Sequence, residues 1–581
     1  MEDQPVPETN PLIQTASWGR HAGLVRGALE RLSAQRALPR LWERDGSLWS
    51  DEPAVQAAIR NRLGWLSIAG VMSKQVDALR GLAQELREAG FTHALLLGMG
   101  GSALFPEVCR KTFGVAPGHP DLTVLDTSDP AAIRAHSRHP LKQLFVIASS
   151  KSGTTSETAA LTAYFYDLFK QGGLDAGAHC LAITDAGTPL ERQARTLRFR
   201  RVFAHGPGTG AEVGGRFSAL TYFGLAPASL IGVDVARLLQ RAEAMFTRCG
   251  PEAPPEGNPA AELGAGLGAL VQAGVDKVTL FCAPELAGFG AWAEQLIAEN
   301  LGKQGKGLVP ILGEPAREPS SYADDRVFVV LDLAARPDTG LEAAAEALGT
   351  AGHPVVRIRW RDPYDVGGEA AKWFVASALI GHLIGINAFD EPNVQESKDR
   401  TKALLERYAR EQRFPEEAPA CSDAQVDVYG TAEAGTSLAQ CLGAFFRRRR
   451  PTDYVALLSF LPRTDALDHA VVALRERLAA RSGAATMLGF GPRYLHSTGQ
   501  LYKGGPDGGL FLLLTAEEPE DLPIPGEPHT FGVLKRAQAV GDFEALRQRG
   551  RRILRLHLRG DLGRAMEQLA RALDAAAAEP L

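Results

Sequence analysis

LFVIASSKSGTTSETAALTAYFYDLFK, residues 144–170, decides how the fold is read. Leu144–Ala148 is an unbroken apolar run of strand length. The next ten residues, 149–158, hold seven Ser/Thr hydroxyls with Lys151 and Gly153, and a helical stretch follows from Ser156 to Lys170. Strand, polar turn and helix follow one another without a linker. The turn is open to two readings: a helix N-cap, for which one hydroxyl suffices, or a cradle for an anion at a helix N-terminus.

Working outward, the same unit recurs. An amphipathic stretch from Val76 to Glu88 leads into HALLLGMGGSA, 93–103, an apolar run that breaks into glycines. Further apolar runs stand at Leu122–Leu125, Cys180–Thr184 and Arg201–Phe203, separated by helical segments. Strands alternating with helices of this length predict right-handed βαβ units and a mostly parallel sheet. RCGPEAPPEGNP, 248–259, is rich in Pro and Gly, lacks a hydrophobic period, and marks a domain boundary. Beyond it the alternation restarts at Val278–Cys282, Val327–Leu331, Val355–Ile358, Tyr454–Phe460, Leu510–Leu514 and Ile553–Leu558. The expected organisation is a helical lead-in over 1–74, one α/β domain over 75–250, and a larger one over 251–581 with a C-terminal extension. Residues 413–425 are expected to form a surface loop.

Bulk properties exclude several classes. With 63 Lys+Arg against 68 Asp+Glu, the net charge of −5 gives no reason to expect nucleic acid or an acidic membrane as partner. The run Arg447–Arg450 reads as a solvated helix end. The first twenty residues lack the features of a signal peptide, and no apolar run approaches membrane-spanning length. Six scattered cysteines at 109, 180, 249, 282, 421 and 441 form no CxxC pair and fit reduced thiols in a cytoplasm.

Several motifs could carry chemistry. GMGGS and SSKSGTTSET lie at the ends of strands, where open α/β sheets bind ligands. Gly101 and Ser102 belong to the first. In the second, Ser150, Ser152 and Thr155 offer donors to phosphate oxygens and Lys151 offers charge. Neither turn meets a nucleotide-binding signature. In EVGGRFSAL, 212–220, the glycines before Arg216 leave it free to reach a buried anion, although an isolated Gly-Gly-Arg is more often a surface turn. In WAEQLIAENLGKQGKG, 292–307, Gln295 and Glu299 share a helix face, while Glu294 and Asn300 diverge from it. Glu299 is either an ordinary helix-end carboxylate or a general base in a cleft. Lys398 follows a Pro-initiated helix start, and His496 sits in YLHSTGQLYKGGP, a polar loop bounded by glycines.

Together, in this order, SKSGTTSET, GGRFSAL and Gln295-x-x-x-Glu299 followed by Gly302-Lys303 resemble the phosphoglucose isomerase family over about residues 60–510. NRLGWL, GKGLVP and HSTGQL are most like the isomerase half of bacterial transaldolase–phosphoglucose isomerase fusions, with no transaldolase half expected in this length. The resemblance implies two sugar isomerase (SIS) domains, flavodoxin-like α/β/α sandwiches. It implies a cofactor-free interconversion of glucose 6-phosphate and fructose 6-phosphate through a cis-enediol. Glu299 would move the proton between C2 and C1, and Arg216 would stabilise the enediolate. Ser150, Lys151 (through its backbone), Ser152 and Thr155 would hold the phosphate. Gly101, Ser102 and Gln295 would contact the sugar, and His496 with Lys398 would open the ring. The family takes this histidine from a neighbouring subunit, which implies a homodimer. Two departures stand out: Asn300 replaces the usual Ser after the glutamate, and the histidine follows Lys398 rather than preceding it. Two alternatives are a phosphoglucose/phosphomannose isomerase, which also inverts C2, and a non-catalytic SIS sensor of sugar phosphates.

Overall fold

The computed structural model describes residues 13–414, 417–430 and 437–576. Residues 1–12 of the expected lead-in, and 415–416 of the expected 413–425 loop, lie outside the described residues. The described part is α/β throughout, with mostly parallel sheets. Among the described residues no helix is long and apolar enough to cross a membrane.

The first sheet has five parallel strands in the order Asp121–Leu125, His93–Gly98, Leu144–Ser149, Cys180–Asp185, Arg201–His205. Its three central strands are apolar on both faces. Leu96, Phe145 and Ile147 enter one core, while Leu95, Leu97, Val146 and Ala148 enter another on the opposite side. This is the period-2 alternation of a sheet covered by helices on both sides. Each fully buried Leu, Ile or Val contributes roughly 1.5–3 kcal/mol, so register is strongly specified. The chain reverses direction across the sheet between His93–Gly98 and Leu144–Ser149. Gly98 pairs with Ser149, so the two turns of interest leave the sheet side by side at its carboxyl edge.

The second sheet runs Ile13–Ser17, Val355–Trp360, Arg326–Leu333, Lys277–Cys282, Val309–Leu312. Its four parallel strands repeat the order of the first sheet, and the lead-in adds Ile13–Ser17 as an antiparallel edge. Val309–Leu312 was hidden in the sequence because it is four residues long and contains Pro310, which an edge strand tolerates. The expected boundary is a loop ended by Asn258, whose side chain accepts from the amides of Ala260 and Ala261 and starts helix Pro259–Gln272. The rest of the lead-in is helical, with helices such as Ala22–Ala34 and Pro53–Arg60. Trp65 of NRLGWL is fully buried and stacks on Phe217 at 5.4 Å, and Gly64 N–H donates to Glu212 O at 3.2 Å. The lead-in thus holds the segment that carries Arg216.

The strands expected after residue 450 form, but they build a third sheet instead of extending the second. Its order is Ala485–Phe490, Tyr454–Phe460, Gly509–Ala516, Arg552–Leu558, with Val426–Tyr429 and Cys421–Asp423 antiparallel at the far edge. The four parallel strands again reverse direction after the second, as in the other two sheets. One face packs on its own helices. The other shares a core with Ala298, Val309 and Ile311, so the third sheet leans on the helix that carries Glu299.

Candidate active site

Helix Ala287–Leu301 places Gln295 and Glu299 one turn apart, both buried. Gln295 Nε2 donates to Glu299 Oε1 at 3.2 Å and to the backbone oxygen of His496 at 2.9 Å. Burial raises the Glu299 pKa and Glu391 adds to the rise, against Arg216, Gln295 and His496. A carboxylate so placed is a stronger base than one in water.

Arg216, 4% exposed, stands in the short helix Gly215–Leu220 with Nη1 3.5 Å from Glu299 Oε2. Its remaining donors are held. Nε donates to Asn300 Oδ1, Nη1 to Glu391 at 2.9 Å, and Nη2 to the carbonyls of Ala388 and Asp390 at 2.9 and 3.0 Å. Asn300 is in turn fixed by donating to Ser377 Oγ at 2.9 Å. Asn300 therefore does not diverge from the site, as the helix spacing suggested, but orients the guanidinium. The loop that supplies Ala388, Asp390 and Glu391 is tied to the end of the glutamate helix by Lys303. Burial and Arg216 push that lysine's pKa down to about 7, although Nζ bonds Asn387 O at 2.9 Å and Asp390 Oδ1 at 2.9 Å.

Glycines let these segments meet. A Cβ on Gly101 would lie 2.0 Å from Gly215 O, and one on Gly100 would lie 2.5 Å from His496 O. Ser218 Oγ donates to Gly101 O at 2.8 Å, and Ser149 Oγ donates to Ser102 O at 2.8 Å. The turn 98–102 is thus clamped between the arginine segment, the hydroxyl-rich turn and the histidine segment.

In the hydroxyl-rich turn, Ser150 Oγ and Thr155 Oγ1 are 2.9 Å apart, and Ser152 Oγ lies 2.9 Å from Thr154 Oγ1. Thr155 occupies the N-cap of helix Ser156–Gln171, yet its hydroxyl makes no capping bond. A cluster of hydroxyls at a helix N-terminus is an arrangement that can bind an anion. The Lys151 ammonium turns away to Asp185 Oδ2, at 2.5 Å, and to Ala211 O, at 3.1 Å.

His496 ends a short helical turn, Arg493–His496, that follows strand Ala485–Phe490 of the third sheet. Its Nε2 lies 2.8 Å from Glu157 Oε1. Burial opposes the charge on Glu157, but His496 together with hydrogen bonds holds its pKa down at about 2. Gln538 Nε2 donates to the same oxygen at 2.7 Å. Glu157 and Gln538 were not singled out from the sequence. Glu157 sits in the first turn of a helix, where a carboxylate reads as a dipole partner, and its partners His496 and Gln538 lie more than 300 residues away.

The structure does not bring Lys398 to this constellation. On helix Val394–Glu411 the buried positions are Ser397, Thr401 and Leu404, so Lys398, one residue off that stripe, is exposed. Lys503, on helix Gly499–Gly504, is buried like Lys303, with Nζ 2.6 Å from Asp542 Oδ1.

No family model matches the chain. A glucose-6-phosphate isomerase of Citrifermentans bemidjiense is 30% identical over 354 residues, covering 54% of this chain and 66% of that one. Those of Rubrobacter xylanophilus and Synechococcus elongatus are 27% and 28% identical. They cover 66% and 70% of this chain and 96% and 82% of their own lengths. The chain therefore spans about two thirds of the first relative and most of the other two. Among solved structures, a hypothetical protein of Thermus thermophilus has a TM-score of 0.58 at 26% identity, covering 68% of this chain and all of its own. A glucose-6-phosphate isomerase of Chlamydia trachomatis, with a TM-score of 0.50 at 19% identity over 68% of this chain and 86% of its own, shares the fold.

Proposed function

The chain belongs to the glucose-6-phosphate isomerase family, and on that premise we propose that it interconverts glucose 6-phosphate and fructose 6-phosphate at the site around Glu299. The observation that carries this reading is one geometry: a buried carboxylate of raised pKa, 3.5 Å from a buried guanidinium, together with a hydroxyl-rich turn at a helix N-terminus that no side chain caps.

The phosphate rests on the amides at the start of helix Ser156–Gln171 and on the hydroxyls of Ser150, Ser152 and Thr155. Lys151 contributes its backbone, since its ammonium is engaged with Asp185. The sugar lies along Gly101, Ser102 and Gln295. His496, held by the ionised Glu157, assists ring opening. Glu299 then removes the C2 proton of the open aldose and returns it to C1, and Arg216 stabilises the oxygen that becomes negative in the enediolate. Because its donors are held in place, Arg216 presents charge without reorganising during the reaction.

His496 reaches the site from the same chain, so one protomer carries the whole constellation. A homodimer and a cytoplasmic location belong to the proposal, the dimer no longer being needed to lend a histidine. The test is a coupled assay on fructose 6-phosphate without added metal or nucleotide. Turnover supports the proposal, and its absence with retained sugar-phosphate binding would favour a sensor.

A further inference from the structure

The third sheet has a cavity of its own, of about 660 Å³, within the roughly 300–1,000 Å³ of small-molecule sites. It lies at the carboxyl ends of Tyr454–Phe460, Gly509–Ala516 and Arg552–Leu558, under helices Val394–Glu411 and Phe531–Gln548. This is the edge at which open parallel sheets of this strand order bind ligands. Helix Phe531–Gln548 separates it from the isomerase centre. Gln538 of that helix bonds Glu157, whereas Val533, Arg536 and Val540 line the cavity.

Arg555 is the residue that a purely structural pocket would not contain. Alternation along Arg552–Leu558 puts it on the same face as Ile553, which is buried in the core beneath. Tyr429 is its partner across the strand pair, and the guanidinium carbon lies 3.8 Å from the Tyr429 ring centroid and 5.7 Å from that of Phe543. Its Nε is buried and makes no hydrogen bond among the described residues. Burial and the neighbouring Arg536 lower its pKa, opposed in part by Tyr429, through charge and a hydrogen bond, and by Glu417.

The acids around the cavity are already engaged. Asp427 meets Arg559 at 3.1 Å, Glu417 meets Arg547 at 2.6 Å, Glu517 meets Arg536 at 3.2 Å, and Glu518 meets Lys535 at 2.5 Å. Asp521 accepts from Gly532 N–H at 2.7 Å. Arg555 is left with a ring against its face and no carboxylate bridged to it among the described residues. Stacking on an aromatic face offsets only part of the desolvation of a cation. A planar fork stacked this way still offers its edge to a bidentate anion. Among the charged and polar side chains of the cavity, Phe414, Phe460, Val533 and Val540 supply apolar surface.

We propose that this cavity is a second ligand site, distinct from the isomerase centre, for a small organic anion. Its carboxylate or phosphoryl head pairs with Arg555 and its flat apolar body packs against Tyr429, Phe460 and Val540. The proposal stands apart from the function proposed above.

The probes are benzoate and phenyl phosphate, which share a body and differ in head group, with inorganic phosphate as a head without a body. Each is titrated calorimetrically into the full chain with saturating fructose 6-phosphate present, so that the hydroxyl-rich turn is occupied. The expected result is one molecule of benzoate or phenyl phosphate per chain, with inorganic phosphate much weaker. Arg555→Met should weaken that binding at least about tenfold, the size of a lost charge-assisted hydrogen bond, with isomerase turnover unchanged. Val540→Trp, which fills the cavity and keeps the charge, should do the same and covers the case in which Arg555→Met fails to fold. Failure of both organic probes to bind the wild type, or equal binding by the wild type and either folded variant, would overturn the proposal.

Discussion

Gly101 offers the sharpest steric test of the site. Its backbone is not in the left-handed region, so alanine there incurs no conformational strain of its own. The obstacle is contact: the new Cβ would stand 2.0 Å from Gly215 O, 2.4 Å from Gly215 C and 2.9 Å from Arg216 N, all backbone atoms. Ordinary carbon–oxygen contact begins near about 3.4 Å, so the turn and the arginine segment must separate by roughly 1.4 Å. Arg216 cannot follow freely, because Asn300, Glu391 and two carbonyls hold its guanidinium. A displacement of about 1 Å in a positioned catalytic group costs on the order of 100-fold in rate, or about 2.7 kcal/mol. Gly101→Ala should therefore lower kcat about 100-fold in the coupled isomerase assay. Overpacking should also cost about 1–3 kcal/mol of stability in a denaturant titration. Gly215→Ala is the matched control, since its Cβ would meet nothing within 4 Å. Equal activity of Gly101→Ala and Gly215→Ala would refute the reasoning that this contact sets the site.

Three further outcomes follow from the geometry. Lys398→Ala should leave kcat/KM within about twofold, as for an exposed helix position, and a large loss would return Lys398 to the ring-opening role that the resemblance implies. Glu157→Gln removes the charge that holds His496 and should slow turnover of ring-closed substrate by about 100-fold, more than that of the open-chain form; equal losses on both would reject the ring-opening role. Glu299 acts only when ionised, and its pKa is raised by burial and by Glu391, so the acid limb of kcat/KM should lie above the ordinary carboxylate value. Glu391→Gln removes a like charge and releases Arg216 towards Glu299, both of which favour the ionised base. The limb should then move to lower pH, and an unchanged or upward shift would contradict the assignment.

What could be read from the sequence was what short spacing encodes. The i,i+4 pair Gln295 and Glu299, the Gly-Gly before Arg216 and the strand–turn–helix at 144–170 each declare themselves within a few residues. What could not be read depends on distant segments meeting. Glu157 bonds His496 and Gln538 across more than 300 residues, and Glu391 reaches Arg216 from a loop with no motif of its own. Lys398 looked promising because it stands close to a helix start. Its side was decided by packing, which turned Ser397 inward instead. The strands after residue 450 were visible as apolar runs. Their assembly into a separate sheet was not, because parallel pairing leaves no local trace of which strand lies next to which. The same limit hid the reason His496 can follow Lys398: the third sheet delivers the histidine from the far end of the chain.

The central claim is that Glu299 carries the proton between C2 and C1, and deuterium transfer measures that step directly. Fructose 6-phosphate is incubated with the protein in D2O, and deuterium at C2 of the glucose 6-phosphate formed is followed by NMR. The wild type should incorporate deuterium at C2, while Glu299→Gln, folded and still binding sugar phosphate, should incorporate none. Incorporation by Glu299→Gln at a rate near the wild type's would contradict the account.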